Sequence, residues 1–195
     1  MLRPSAFSQR SLSRLIRGFT AIELMVTVAI LAILAALAAP SFTPLMERWR
    51  VRQIAEELQS TLYYARSEAI KRGGNITIAR HTSGSDCSDI STSPALWNCG
   101  WTVFFTAPGT TTATALQEAP APSRSRIEIR DSQDNALGSD SPISIDRWGQ
   151  ITLSSNASFD FLISPENSSS THTAKLCIYA GGRIKRLDTG SNSCS

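Results

Sequence analysis

The chain has 195 residues, 42% of them hydrophobic and 18% charged, which is the composition of one globular domain with one apolar segment. This composition excludes a disordered chain, a collagen-like chain and a transporter with several membrane spans. The formal net charge is +3. Four of the 19 Lys and Arg residues are arginines within residues 1–18, which leaves 15 basic residues against 16 acids in the rest of the chain. The net charge of the rest of the chain is therefore close to −1, and any basic surface on it must be local.

An apolar segment runs from Phe19 to Ala39, and Glu23 is its only charged residue. As a helix that rises about 1.5 Å per residue, it is roughly 30 Å long, the thickness of the hydrocarbon core of a bilayer. The residues ahead of it include no acid and four arginines, Arg3, Arg10, Arg14 and Arg17. Since positive flanks stay in the cytoplasm, the pattern predicts a single-pass segment with a cytoplasmic N-terminus and an exported C-terminal domain.

Two simpler interpretations of this segment leave Glu23 without a role. One is a secretory signal cleaved after the small residues Ala36-Leu37-Ala38, and the other is a plain anchor. An ionised side chain in a membrane segment costs on the order of 2.5 to 3.5 kcal/mol and usually marks a function. Cleavage after Gly18 would give Phe19 a free amine, with a pKa of about 8, one helical turn from Glu23. Such a pair would offset the cost of both charges and align stacked helices.

The basic leader, Gly18, Phe19-Thr20, Glu23-Leu24-Met25 and the apolar run before Pro40 resemble the N-terminus of type IV pilins and type II secretion pseudopilins. The resemblance implies cleavage between Gly18 and Phe19 by a prepilin peptidase and N-methylation of Phe19. It also implies assembly with other pilins or pseudopilins, for which Glu23 is the assembly residue. The expected location is the bacterial inner membrane, with a periplasmic domain, and then a filament.

A second helical pattern follows Pro40 and Pro44, from about Leu45 to Arg72. Apolar residues recur there at spacings of three and four, at Val51, Ile54, Ala55, Leu58, Leu62, Ala65 and Ala69. Gly73-Gly74 is a typical helix end. The predicted organisation is a leader (1–18), a membrane helix (19–39), an amphipathic helix (40–74) and an exported β-domain (75–195).

From Asn75 onward the apolar residues alternate with a period of two, which predicts short strands. The alternating sets are Ile76 and Ile78; Trp101, Val103 and Phe105; Ile127 and Ile129; Ile143 and Ile145; Ile151 and Leu153; Phe159, Phe161 and Ile163; Leu176 and Ile178. The polar segments Thr82–Leu96, Thr106–Ser125 and Pro165–Thr173 are predicted to be exposed loops. The predicted fold class is α+β, a long N-terminal helix packed on a C-terminal antiparallel β-domain, as in type IV pilins.

Four cysteines, Cys87, Cys99, Cys177 and Cys194, lie beyond the span in an oxidising compartment, which predicts two disulfides. Three pairings are possible. We favour Cys87 with Cys99 and Cys177 with Cys194, because each pair closes a short polar loop. A zinc site is the alternative, but there is no C-x-x-C spacing and His81 and His172 are isolated. We therefore expect no metal and no cofactor.

Three segments resemble the GspH/FimT group of minor pilins and pseudopilins: Leu62–Arg72, Cys99–Phe104 and Gly182-Arg183. For the run from Ala65 to Ala69 in the first segment, we favour a structural role over a functional one. Ala65 and Ala69 would let the helix approach the sheet, while Arg66 and Glu68 would face water.

No glycine-rich phosphate loop, nucleophile elbow or paired carboxylates are evident, so we expect no enzyme. Between Lys175 and Ser195, four basic residues, Lys175, Arg183, Lys185 and Arg186, accompany one acid, Asp188. A solvated terminal strand would explain them. However, Gly182-Arg183-Ile184-Lys185 resembles the Gly-Arg-x-Arg motif associated with DNA capture by FimT-type pilins. Lys185 replaces the second Arg, which keeps the charge and loses the bidentate fork.

These features together predict a minor pilin of the GspH/FimT type that binds DNA without sequence specificity for uptake in natural transformation. The DNA-binding residues would be Arg183, Lys185 and, more weakly, Arg186, since Arg186 points with Ile184 in a strand. The alternative is protein H of the type II secretion system, a minor pseudopilin.

Overall fold

The structure is a computed structural model that describes residues 18–83, 93–131, 133–138, 142–154, 158–166, 172–188 and 194, without the side chains of 38–41. The described part contains one helix, α1 (Ala21–Arg72), followed by β-strands. The strands are β1 (Ile76–Arg80), β2 (Trp101–Thr106), β3 (Ala113–Ala119), β4 (Ser125–Asp131), β5 (Ile143–Ile145), β6 (Ile151–Leu153), β7 (Phe159–Pro165), β8 (Ala174–Ile178) and β9 (Ile184–Asp188).

The chain divides into two compact units, Met1–Phe42 and Thr43–Ser195. In the first unit, Thr20 caps the start of α1, because its Oγ1 accepts a hydrogen bond from the backbone N–H of Glu23 at 3.3 Å. Among the described residues, no single helix has both the length and the apolar composition needed to cross a bilayer. The parts of α1 on either side of residues 38–41, Ala21–Leu37 and Phe42–Arg72, meet that criterion by length and composition only when they are taken together.

The second unit is built on the amphipathic part of α1. The predicted stripe is confirmed, since all seven of its apolar residues from Val51 to Ala69 are buried. The helix ends where predicted, at Gly73 and Gly74, which have positive φ angles of 79° and 101°. The N–H of Gly74 donates to the carbonyl of Ala69 at 2.7 Å, which gives a hydrogen-bond donor to one of the free carbonyl groups in the last turn of the helix.

Two antiparallel sheets complete this unit. One has the order β3-β2-β1-β5-β6 and the other the order β4-β7-β8-β9. Their inward residues join the helix stripe in one core, in which the ring of Trp97 packs edge-on against Phe161 with centroids 5.1 Å apart. The predicted fold class is confirmed, and every predicted strand is present.

The predicted loop Thr106–Ser125 is wrong, because it contains β3 and the first residue of β4. β3 pairs with β2 from Ala113 to Ala119, with one shift of register between Val103 and Phe104, but most of its side chains are exposed. An edge strand held by backbone hydrogen bonds and exposed on its surface shows no apolar alternation. The predicted loop Thr82–Leu96 is also wrong at its end, since Ala95 and Leu96 are buried. Backbone hydrogen bonds from Trp97 to Ile127 and from Ile129 to Ala95 hold this segment beside β4.

Candidate functional site

The predicted processing and assembly residues lie at the start of α1. Phe19 precedes the helix and its side chain is exposed, while Glu23 is in the first turn. A carboxylate there interacts favourably with the helix dipole, and Thr20 and Glu23 have the spacing of a capping box. The apolar side chains of the next turns, including Leu24, Met25 and Val28, are exposed as well. The first turns of this helix therefore expose a large apolar surface.

The predicted DNA-binding residues lie on the β8–β9 hairpin. Its turn is closed by hydrogen bonds between Tyr179 and Arg183 and between Gly182 and Tyr179, both 2.9 Å. The guanidinium of Arg183 lies over the ring of Tyr179, 4.2 Å from its centroid. Arg183 and Lys185 are exposed and Ile184 between them is buried, as the alternation of a strand requires. Both cations are thus presented on one side of the hairpin.

The other two basic residues of this segment are engaged elsewhere. Arg186 donates from Nη1 to Oε1 of Glu56 on α1 at 3.0 Å, and its side chain is 22% exposed. The pKa of Glu56 is lowered by hydrogen bonds from Arg52 and Arg186. Lys175 is buried, bonded to Asp134 and 3.9 Å from Oδ2 of Asp160. Of the three predicted DNA-binding residues, Arg183 and Lys185 are thus exposed together, while Arg186, which was ranked below them, is paired with Glu56.

A family model described as Type II transport protein GspH matches residues 55–182, and the Prokaryotic N-terminal methylation motif matches residues 13–39.

The chain belongs to the GspH family.

A solved structure, titled "Structure of the minor pseudopilin EpsH from the Type 2 Secretion System of Vibrio cholerae", is similar in fold. It shares 13% sequence identity, with 73% of this chain and 99% of that chain covered and a TM-score of 0.52. At this identity the likeness shows the fold alone. The GspH match ends at Gly182, so the family assignment does not depend on the cationic residues that follow.

Within the GspH match, a contact between α1 and the β8–β9 turn was missed by the sequence reasoning. Nη1 of Arg66 donates to the carbonyl of Gly182 at 3.0 Å. Glu68 is buried and accepts a hydrogen bond from Nε of Arg72 at 2.6 Å. The expectation that Arg66 and Glu68 face water is therefore wrong. Arg66 is half-buried against the β8–β9 turn, and Glu68 is buried and paired with Arg72 on the next turn of the helix. In the sequence, the Gly182-Arg183 motif was the one signal that could have pointed to this contact.

The disulfide predicted between Cys177 and Cys194 is present, with Cα atoms 5.6 Å apart. Cys99 is disulfide-bonded, and its predicted partner, Cys87, lies outside the described residues. Within the described ranges no group of His, Cys, Asp or Glu could hold a metal ion. Nε2 of His81 lies 2.6 Å from Oγ1 of Thr102, which gives that imidazole a hydrogen-bonding role inside the β-domain.

Proposed function

We propose that this GspH-family chain is a minor pilin or pseudopilin subunit that inserts into the inner membrane, is cleaved after Gly18 and joins a filament through α1. One observation carries the proposal. A methylation motif over residues 13–39 precedes a GspH domain over residues 55–182, and α1 begins within the first range and ends within the second. Phe19 and Glu23 are placed at the start of that helix, where a new amine and a carboxylate could pair between neighbouring subunits.

The test is mass spectrometry of the mature N-terminus from cells with and without a prepilin peptidase. We expect an N-methylated Phe19 that requires the peptidase. A mature chain that starts near Ala39 or Pro40 would indicate a secretory signal, and an uncut chain would indicate a plain anchor. Neighbouring genes separate the two machines, since other minor pilins favour a type IV pilus and secretion genes favour a pseudopilus.

A second candidate function, DNA capture for uptake, is supported by the exposed pair Arg183 and Lys185. Side chains two residues apart in a strand are separated by roughly 6.6 to 6.8 Å, which is compatible with contacts to neighbouring phosphates of one strand. Burial of Ile184 anchors the segment that carries them. Because Lys175 and Arg186 are already paired with acids, the proposed site has two cations, so binding would be weak and independent of sequence.

A further inference from the structure

The first turns of the second unit expose large apolar side chains on α1. Leu45, Met46 and Trp49 are 47%, 56% and 63% exposed, although they begin the helix whose later turns form the core. Trp49 lies three residues after Met46 and four after Leu45, so its side chain adjoins both on the helix surface. Contiguous exposed apolar side chains of this size mark a surface that another molecule covers.

Arginines border this apolar surface. Arg48 and Arg52 share a helical stripe with Leu45 and Trp49, and these four residues line an open cavity of about 240 Å³. Arg50 adds a third cation, and Glu47 is the one acid between Thr43 and Ala55. Arg48 has no ion pair among the described residues. Arg52 shares Glu56 with Arg186, so the cavity has an excess of positive charge.

We propose that the segment Leu45–Arg52 binds anionic phospholipid headgroups at the periplasmic surface of the membrane. The proposal rests on the proposed membrane insertion of the preceding residues. Trp side chains are enriched at the level of the headgroups, and guanidinium groups make bidentate hydrogen bonds to phosphate. An apolar helix surface bordered by Arg is the pattern of an interfacial helix.

The position of the segment in the chain supports a lipid occupant. Leu45 follows Ala39, the end of the apolar segment, by only six residues, so the segment begins close to the point where the chain would leave the hydrocarbon core. A second copy of the chain would bring the same arginines against this surface, and like charges would oppose that contact. Anionic lipid complements the charge.

Trp49 provides the experimental signal. Trp97 and Trp101 are buried in the core, so replacing the exposed Trp148 by Phe leaves Trp49 as the accessible indole. The full-length Trp148→Phe chain is reconstituted in phosphatidylcholine vesicles with and without phosphatidylglycerol, using lipids brominated near the headgroup. We expect the bromine atoms to quench Trp49, and to quench it more strongly in the anionic vesicles. Subtracting the spectrum of Trp49→Phe in the same background isolates this signal.

Two charge variants test the headgroup contact. Arg48→Gln with Arg52→Gln should abolish the additional quenching caused by phosphatidylglycerol. Lys71→Gln with Arg126→Gln, a matched loss of two exposed cations elsewhere, should leave it unchanged. Unquenched Trp49 in a chain that floats with the vesicles would overturn the inference, as would protection of Trp49 only when other filament subunits are added. A chain that fails to float with vesicles would instead contradict the membrane insertion in the proposed function.

Discussion

Arg66 on α1 and Gly182 in the β8–β9 turn are joined by a hydrogen bond of 3.0 Å, although they are 116 residues apart in the chain. Gly149, in the β5–β6 turn, completes this junction. A Cβ on Gly149 would lie 2.7 Å from Nε of Arg66, and a Cβ on Gly182 would lie 2.4 Å from the carbonyl oxygen of Gly149. Two turns and the helix therefore meet where only glycine fits, next to Arg183.

Gly182→Ala should destabilise this junction. Gly182 has a φ of 81°, and the added methyl group would collide with the backbone of Gly149, which cannot move aside as a side chain could. Gly181→Ala is the matched control, because Gly181 has a similar φ of 88° but nothing within 4 Å of its Cβ. We expect both to lower the free energy of unfolding in urea, Gly182→Ala by about 1 to 3 kcal/mol more. Equal losses would mean that the close approach contributes nothing.

Stability should depend on pH through Asp160. This residue is 2% exposed, its Oδ1 has no hydrogen-bond partner, and burial raises its pKa to about 6. Lys175 and Arg130 oppose the rise, and Asp134 and Asp131 add to it. Because the folded pKa lies above the unfolded value, this group stabilises the fold most at low pH. Its contribution is lost as the pH rises from about 4 to above 6, by about 3 kcal/mol at most.

Urea unfolding of Asp160→Asn between pH 4 and 8 measures this effect. The variant should lose the decline in stability that Asp160 causes as the pH rises. Asp131→Asn is the matched control, because hydrogen bonds from Asn135 and Gln133 lower the pKa of Asp131, so its contribution is lost only below about pH 4 and this variant should keep most of the decline between pH 4 and 8. A wild-type profile identical to that of Asp160→Asn would show that the buried carboxyl does not titrate as described.

The Cys177–Cys194 bridge should stabilise the C-terminal end of the β-domain. It joins residues 17 apart, for which loop closure in the unfolded chain accounts for about 3 kcal/mol. Cys177→Ala with Cys194→Ala should lower the free energy of unfolding by about that amount under oxidising conditions. Reducing agent should weaken the wild type more than this variant. Peptide mapping without reduction tests the predicted Cys87–Cys99 pair in the same samples, and a link from Cys99 to Cys177 would contradict both assignments.

Glu23→Ala should keep the protein in the membrane and remove it from filaments. The change makes the apolar segment more apolar, so insertion is retained, but it removes the carboxylate that would pair with the Phe19 amine. The measurement is the amount of the chain in sheared filaments relative to the membrane fraction. Glu47→Ala, an acid on the same helix beyond the apolar segment, should assemble normally. Normal incorporation of Glu23→Ala would exclude the proposed pairing.

Most of the fold could be predicted because burial repeats along the chain. The stripe from Val51 to Ala69 has helical spacing, and strands such as Phe159–Pro165 alternate. β3 could not be predicted, since its side chains are mostly exposed and its pairing involves backbone atoms.

The charged contacts could not be predicted from the sequence for a different reason. Lys175 pairs with Asp134, 41 residues earlier, and Arg66 bonds to Gly182, far along the chain. Whether a charge is buried depends on a partner that only the tertiary structure brings near. The exposed pair Arg183 and Lys185 could be anticipated, because alternation around Ile184 is a local property.

The DNA proposal requires that Arg183 and Lys185 act through their charge alone. Each phosphate contact on duplex DNA adds about 0.9 to the slope of log affinity against log salt, so two contacts predict a slope near −1.8. The full-length chain in detergent is titrated with duplexes of unrelated sequence at several salt concentrations. Arg183→Gln and Lys185→Gln should each weaken binding equally for all sequences and reduce the slope by about 0.9.

Arg186→Gln distinguishes this site from general attraction to the basic residues of the hairpin. Since Arg186 is paired with Glu56, its loss should leave both the affinity and the salt slope close to wild type. Lys71→Gln, at an exposed cation near the end of α1, controls for net charge. If Arg183→Gln and Lys185→Gln bind like these controls, or if the wild type does not bind at low salt, DNA capture is excluded. The function as a filament subunit would then stand without it, because that function depends on residues 13–39 and on the GspH domain.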